Sequence, residues 1–324
     1  MRNPTIETNG TPLISVICPV FNEEAAIPIF YTRISQVLAH FRGRYKFEIL
    51  FTNNASTDTT YQAVMALRAQ DASVQVITLS RNFGYQASLT AGLHHASGDA
   101  IVVIDVDCED PPELLPRLIE GWEHGYDIVY GIREKRPESF ALQCARKAFY
   151  RITRMIADYD FILDMAEFSL FSRRVRDALL RNRSTFPFIR AEIGFVGFKR
   201  LGIPYTRERR MSGSTHYNVW RMFLFAVGGM LSSSTFFLRF ACYTGFPLAA
   251  LSLAAAVALL CADVWRLVGA LVLVNFCFII VFLAFMAAYI ARIYKDACQR
   301  PLFIIDSNHT HLNSHVTQES DSQS

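Results

Sequence analysis

Asp105, Asp107, Glu109 and Asp110 crowd the chain directly after the apolar run Ala100–Ile104. Carboxylates placed together resist ionisation unless a cation neutralises them. Alternate residues of an extended segment point the same way, so Asp105, Asp107 and Glu109 can share one face. Hard oxygen ligands of this kind suit Mg²⁺ or Mn²⁺, ions that also hold substrate phosphates. A solvated acidic loop is the competing reading. Asp-x-Asp alone decides little between the two; its place behind a buried apolar run favours the metal.

Such a cluster needs other segments to meet it, and the pattern around it supplies them. Leu13–Val20 (LISVICPV) is a β-branched run closed by Pro19 and followed by Asn22-Glu23-Glu24. It predicts a buried strand, a loop and a helix over 26–40. Further strands are predicted at Phe47–Thr52, Val74–Leu79, Ala100–Ile104 and Asp127–Tyr130, with helices over 59–70 and 85–96 and one ending near Gly121. Ser56 or Asp58 is placed to cap the 59–70 helix. Strands alternating with helices imply an α/β fold with a mostly parallel sheet covered on both faces. Ligands of open sheets bind beyond the carboxyl ends of the strands. Asn22-Glu23, Asn53-Asn54, Arg81-Asn82 and Asp105–Asp110 all fall at those ends. Gly84, Gly92 and Gly98 read as turn and packing positions. No GxxxxGK[ST] phosphate loop occurs.

The remaining chain changes character. Mean hydropathy is +0.21 and 52% of the 324 residues are hydrophobic, and the excess is concentrated in residues 236–291. Two stretches, Phe240–Ala262 and Leu267–Ile290, approach the ~20 apolar residues that a membrane-crossing helix needs. Basic residues flank the pair: Arg207, Arg209, Arg210, Arg221 and Arg239 before it, Arg292, Lys295 and Arg300 after it. The positive-inside rule then places both termini in the cytoplasm. Residues 218–238 read as an interfacial amphipathic region, and Cys144–Ala157 as a basic helix on lipid headgroups or in solvent. The tail 293–324 is cytoplasmic on this reading, and its polar end, from Asp306, is expected to be disordered. The polar start MRNPTIETNGTP predicts no signal peptide. Seven cysteines without a CxxC spacing argue against a cysteine zinc site. A net charge of +3 leaves nucleic acid without an electrostatic footprint.

The segments ISVICPVFNEE, LSRNFGYQASLTAGLHHASGDAIVVIDVDCEDPPELLP, GYDIVYGIR and RERRMSGSTHYNVWRM together resemble family 2 glycosyltransferases. Within that family they are similar to the polyprenyl-phosphate group, which includes dolichol-phosphate mannose synthase and bactoprenol glucosyltransferase. The resemblance implies a GT-A, Rossmann-like domain over 1–217 and a two-helix transmembrane hairpin over 239–292. It implies inverting, metal-dependent transfer from a nucleotide-sugar to a polyprenyl phosphate at the inner or plasma membrane. Pro19, Phe21 and Glu23 would line the nucleotide pocket, with Asn53, Asn54, Asp58 and Arg81 from the neighbouring strand ends. Asp107 would hold the metal, Asp105 would lie nearer the nucleotide or sugar, and Glu109 would assist. Arg133 would contact phosphate. Arg207, Arg210, Ser214, Thr215 and His216 would meet the lipid phosphate. Dimers or tetramers are implied by analogy alone.

Three departures from the family pattern bear on specificity. Asn53-Asn54-Ala55-Ser56 stands where an Asp-Asp-Gly-Ser segment is frequent, whose second Asp recognises the base. An Asn can accept from uracil or donate to cytosine, so a UDP-sugar is favoured while CDP- and GDP-sugars stay open. His216 replaces a frequent Lys and makes one phosphate contact pH-dependent. Glu167 replaces a common Asp and is a catalytic candidate, although a surface or capping glutamate reads equally well. The rival functions are transfer to another acceptor, a processive polysaccharide synthase, which needs more spans, and a non-catalytic nucleotide-sugar-binding membrane protein.

Overall fold

The computed structural model describes residues 10–133, 151, 165–182, 187, 189–208, 234–261 and 265–313. The first apolar run forms strand β1 (Leu13–Val20), buried along nearly its whole length. Burial on both faces is what a central parallel strand demands, and the unbroken Val/Ile/Cys sequence meets it. Helix α1 (Ala26–Ala39) follows, then β2 (Lys46–Asn53), α2 (Thr60–Gln70), β3 (Val74–Thr78), α3 (Tyr85–His95), β4 (Ala100–Val103), α4 (Leu115–Glu123) and β5 (Ile128–Arg133). Four elements of the sheet half lie beyond the predicted alternation: β6 (Met165–Ser172), the helices α5 (Arg173–Leu180) and α6 (Ile189–Val196), and β7 (Arg200–Tyr205).

The strands form one sheet in the order β3-β2-β1-β4-β6-β5-β7. Neighbours pair in parallel except β6, which runs antiparallel to both β4 and β5. From β1 the chain winds outward through β2 to β3, then returns to place β4 on the other side of β1. The crevice at the carboxyl ends of β1 and β4 is thus the point where the winding reverses, the usual ligand position in open α/β sheets.

Two apolar clusters cover the faces. One joins β1, β2 and β4 to α1, α2 and α4 through residues such as Phe30, Val64, Val102 and Leu118. The other joins Ile17, Ile101 and Val103 to α3, α5 and α6 through Leu89, Leu93, Val175 and Ile193. Gly92 lets α3 come this close: a Cβ there would stand 2.4 Å from Cγ2 of Ile17.

The chain divides into two compact units. The sheet unit includes the tail residues 301–313, which corrects the expectation of disorder for 306–313; the remainder of the tail lies outside the described residues. Residues 301–313 pack along β3, with bridges Val76–His311 and Leu79–Ile305. The physical reason is that edge-strand pairing uses backbone groups and tolerates a polar sequence. Thr310 Oγ1 accepts the Thr78 N–H at 3.0 Å.

The second unit holds α7 (Phe236–Cys261) and α8 (Trp265–Ala297). Leu238–Leu259 and Leu267–Ala297 are long and apolar enough to cross a membrane, and neither is buried by protein. Leu251, Leu253 and Val274 are each more than 60% exposed. Side chains that water would penalise suit a lipid environment. The pair therefore has the length, composition and exposure of a membrane-spanning hairpin. At 33 residues, α8 is about 50 Å long, so its end, with Arg292 and Lys295, reaches past the hydrocarbon layer. Between the helices Ser252 Oγ donates to Asn275 Oδ1 at 3.0 Å.

Candidate active site

The β4 ladder ends where Ile104 N–H donates to the Ile17 carbonyl at 3.1 Å. From there the chain keeps its alternation. Val106, Cys108 and Asp110 are buried, while Asp105, Asp107 and Glu109 are only half-buried. The face shared by the three acidic residues is therefore present. Val106 and Cys108 enforce it by joining the core beneath. Cys108 has a φ of +58°, a conformation uncommon for a side-chain-bearing residue, and it turns the segment there.

Asp105 has little to stabilise its charge. Tyr85, the first residue of α3, donates its hydroxyl to Asp105 Oδ1 at 2.8 Å. Burial and then the carboxylates of Glu167, Asp107 and Asp110 push Asp105 up to about 7. Burial and then the carboxylates of Asp105 and Glu167 push the Tyr85 hydroxyl upward, so it stays a donor. Glu167 lies on β6, two residues before Ser169, which pairs with Val103. This antiparallel register carries Glu167 toward Asp105. Arg190 of α6 brings Nε within 2.8 Å of Glu167 Oε1. The contact is a charge pair without hydrogen-bond alignment, since Arg190 Nε has no aligned partner.

Asp110 is the compensated acid of the group. It is 1% exposed and takes Arg133 Nη2 at 2.8 Å together with the Tyr205 hydroxyl. Arg133 Nε also donates to Tyr205 Oη at 3.1 Å. Arg133, expected on a phosphate, thus points its guanidinium at Asp110. Arg207 is ion-paired with Glu109, and its Nε lies 3.8 Å from Asp110 Oδ1. Glu208 N–H donates to the Glu109 carbonyl at 2.9 Å. Arg33 of α1 then ties Glu113 and Glu208 together at 2.6 and 3.0 Å.

These pairings alter the expected metal set. Among the described residues no three His, Cys, Asp or Glu side chains converge on a metal position. Glu109 is drawn to Arg207, and Asp107 Oδ1 accepts the Glu109 N–H at 3.1 Å. Asp105 and Asp107 remain on the open face.

The loops after β1 and β2 are laced together. Asn22 Oδ1 accepts the Thr57 N–H at 2.8 Å, Ser56 Oγ accepts the Asn22 N–H at 3.0 Å, and Thr60 Oγ1 accepts the Glu23 N–H at 2.8 Å. Thr59, not Ser56 or Asp58, is the N-cap residue of α2; Asp58 accepts from Thr60 N–H at 3.0 Å and Glu24 N–H at 3.3 Å just ahead of the helix. Pro19 is buried in β1 opposite Thr52, and Phe21 is 42% exposed beside the crevice. Asn53 Oδ1 closes a local turn with the Ser56 N–H at 3.0 Å. Asn54, expected to read a base, is buried. Its Oδ1 accepts the Phe83 N–H at 2.9 Å and its Nδ2 donates to Asn82 Oδ1 at 3.1 Å. In this conformation it positions the loop after β3. Arg81, on that loop, is exposed and lies 3.9 Å over the Phe83 ring.

Arg210, Ser214, Thr215 and His216 lie outside the described residues, as do the interfacial region up to 233 and all of Cys144–Ala157 except Arg151. Three site residues were missed from sequence: Tyr85, Arg190 and Tyr205. Only Tyr85 carried a signal, as the opening residue of a helix at the same sheet edge as the carboxylates.

Residues 15–181 match the family described as Glycosyl transferase family 2. The chain is 34% identical to an uncharacterised glycosyltransferase, YkcC, of Bacillus subtilis, over 91% of this chain and 94% of that protein. It is equally 34% identical to a bactoprenol glucosyl transferase of Shigella phage SfII, over 91% of this chain and 98% of that one. Among solved structures, a mannosyltransferase of Pyrobaculum calidifontis in complex with GDP-Man and Mn²⁺ is similar at 18% identity and a TM-score of 0.47. That match covers 91% of this chain and 90% of the other.

Proposed function

Because the chain belongs to glycosyl transferase family 2, we propose that it transfers a sugar from a nucleotide-sugar to a polyprenyl phosphate at the cytoplasmic face of a membrane. The observation that carries this reading is the Asp105–Asp107 face at the sheet's switch point, in a chain that also has a lipid-suited hairpin. The similarity to a bactoprenol glucosyl transferase along nearly the whole length supports the lipid acceptor. The basic residues flanking the hairpin support a cytoplasmic catalytic domain.

The residues at this edge of the sheet fit a divalent cation. Asp105 sits among carboxylates that all disfavour its ionisation, an arrangement that a bound cation would relieve. Mg²⁺ commonly takes one or two protein carboxylates and completes its shell with water and substrate phosphates. Asp107 and Asp105 would hold such an ion, which when bound supplies positive charge to the leaving diphosphate. Phe21, Glu23, Asn53, Asp58 and Arg81 border the space left for the nucleotide. A UDP-sugar is the favoured donor.

The chain's own residues then position the reactants. Tyr85 fixes Asp105, and the Glu167–Arg190 pair offers an acceptor and a donor to sugar hydroxyls. Arg133 acts through Asp110 to hold the acidic turn in place. Arg207, with Arg210, Ser214, Thr215 and His216, supplies donors for the lipid phosphate. That phosphate is already anionic at neutral pH, so it needs no general base. One of its oxygens bonds to the anomeric carbon as the bond to the diphosphate breaks, inverting that carbon. Catalysis on this scheme is positioning and charge stabilisation.

The test incubates membranes containing the protein with Mg²⁺ or Mn²⁺, undecaprenyl phosphate and labelled UDP-, GDP-, CDP- and dTDP-sugars. Label should move into organic solvent as an acid-labile lipid from one donor, and chelation should abolish the transfer. Absence of transfer in preparations that still bind a nucleotide-sugar would overturn the lipid acceptor.

A further inference from the structure

The loop Ser80–Gly84 carries Arg81 to the edge of the crevice, and the protein grips it from two sides. On the inner side is the Asn54 amide, bonded to Asn82 and Phe83. The outer side is the C-terminal tail. Ser80 N–H donates to the Ile304 carbonyl at 2.8 Å, and Asp306 N–H to the Thr78 carbonyl at 2.8 Å. Further along, Val76 and His311 exchange both backbone bonds, at 3.1 and 2.8 Å. Asn313 anchors the end, taking Arg68 Nη2 at 3.1 Å and donating to the Ala72 carbonyl at 2.8 Å.

The tail's side chains share the apolar support of the loop. Phe303, Ile305 and Leu312 pack with Phe83 against the buried cluster Leu50, Ile77, Leu79 and Ala91. Phe83 is the ring beneath Arg81. Gly84 leaves the loop at a φ of +92°, where the backbone has no side chain to restrain it. Without the tail, the hydrogen-bonding edge of β3 and part of the apolar cluster on which Phe83 rests would face water.

We propose that Pro301–Asn313 is a strap that positions the Ser80–Gly84 loop, and with it Arg81, for the nucleotide-sugar. The strap is covalently continuous with α8, so the segment that leaves the membrane hairpin sets the order of the donor loop. The proposal rests on the assignment of that loop to the donor pocket. Phe303, Ile305 and Leu312 are positioning residues on this account.

The test uses the full chain in detergent. A loop that spends only a tenth of its time in the binding arrangement raises the apparent donor constant about tenfold. Phe303→Ala should therefore raise the donor KM roughly tenfold while kcat and the acceptor KM stay within about twofold. Hydrogen exchange at 80–84 should quicken, exchange in α1 should not, and Phe303→Leu should restore both readouts. A chain ending at Arg300 should show the larger version of the same change. Native exchange at 80–84 in both altered chains overturns the strap, as does a fall in kcat at unchanged donor KM. If the wild-type chain transfers no sugar, the acceptor reading fails separately, and titration with UDP still decides the strap. Weaker UDP binding by Phe303→Ala supports it; equal binding overturns it.

Discussion

Glu48 and Asp105 are carboxylates set into opposite ends of the same sheet, and the protein treats them oppositely. Glu48, near the start of β2, is 6% exposed and takes hydrogen bonds from Ser15 Oγ, Ser97 N–H and Oγ, and Gln75 Nε2. Asp105, just past the end of β4, has one hydroxyl from Tyr85 and three carboxylates for company. The fold can evidently satisfy a buried acid with neutral donors where only structure is required. Leaving another acid under-compensated costs stability, and such sites mark function. The contrast assigns Glu48 to holding β1, β2, β3 and the turn before β4 together. It assigns Asp105 to the edge where a cation and substrate would complete the shell.

Substitution on the two sides should separate these roles. The largest effect is expected at Asp107, which shares the open face with Asp105. Asp107→Ala should lower kcat/KM for lipid-linked transfer by about 10³-fold, with the unfolding midpoint of the detergent-solubilised protein unchanged. Retained activity would remove Asp107 from the metal position.

The next effect is a pH dependence. The unfolded Asp105 carboxyl ionises near the ordinary value, ~3.9, while the folded one is held up to about 7. Between these values the folded protein binds a proton that the unfolded chain has lost, so stability falls as pH rises. Above about 7 both states are ionised and the penalty is complete. Asp105→Asn lacks this titration. In EDTA, the stability of wild type relative to Asp105→Asn should fall by up to about 4 kcal/mol from pH 4 to 7 and then level off. A flat difference across that window would mean that Asp105 ionises normally.

How far sequence carried this picture depended on how each element stays folded. Strands β1 to β5 are apolar runs stopped by turn residues, and their bounds came out within a few residues. The acidic face was legible because alternation continued past β4. Strand β6 (MAEFSLFS) was not read, since its Glu and Ser residues break the apolar signal and its burial comes from both flanking strands. Strand β7 holds Gly202 and Pro204, residues that argue against a central strand but are tolerated at a sheet edge. The tail after Asp306 looked disordered because its composition is polar. The order of residues 306–313 comes from backbone pairing with β3, which composition does not encode. Distant pairings such as Arg207 with Glu109 and Arg133 with Asp110 depend on tertiary contact, which no local pattern reveals.

The Glu48 side of the comparison is tested by removing the acid. Glu48→Leu should cost about 3 kcal/mol in denaturant unfolding, because buried donors on Ser97, Ser15 and Gln75 lose their acceptor. Turnover per folded molecule should be preserved. A loss confined to activity would reverse the two assignments.

The smallest effect concerns one hydroxyl. Ser15 is fully buried; its Oγ donates to Glu48 and accepts the Gly98 N–H at 2.7 Å. Ser15→Ala leaves Glu48 with the Ser97 and Gln75 donors but strands the Gly98 N–H, for about 1–2 kcal/mol. Combined with Glu48→Leu, it should cost less than the two separate losses added, because part of the hydroxyl's worth is its bond to the acid. Strict additivity in that cycle would show that Ser15 serves Gly98 alone. Glu48 would then be held by fewer donors, and its contrast with Asp105 would narrow accordingly.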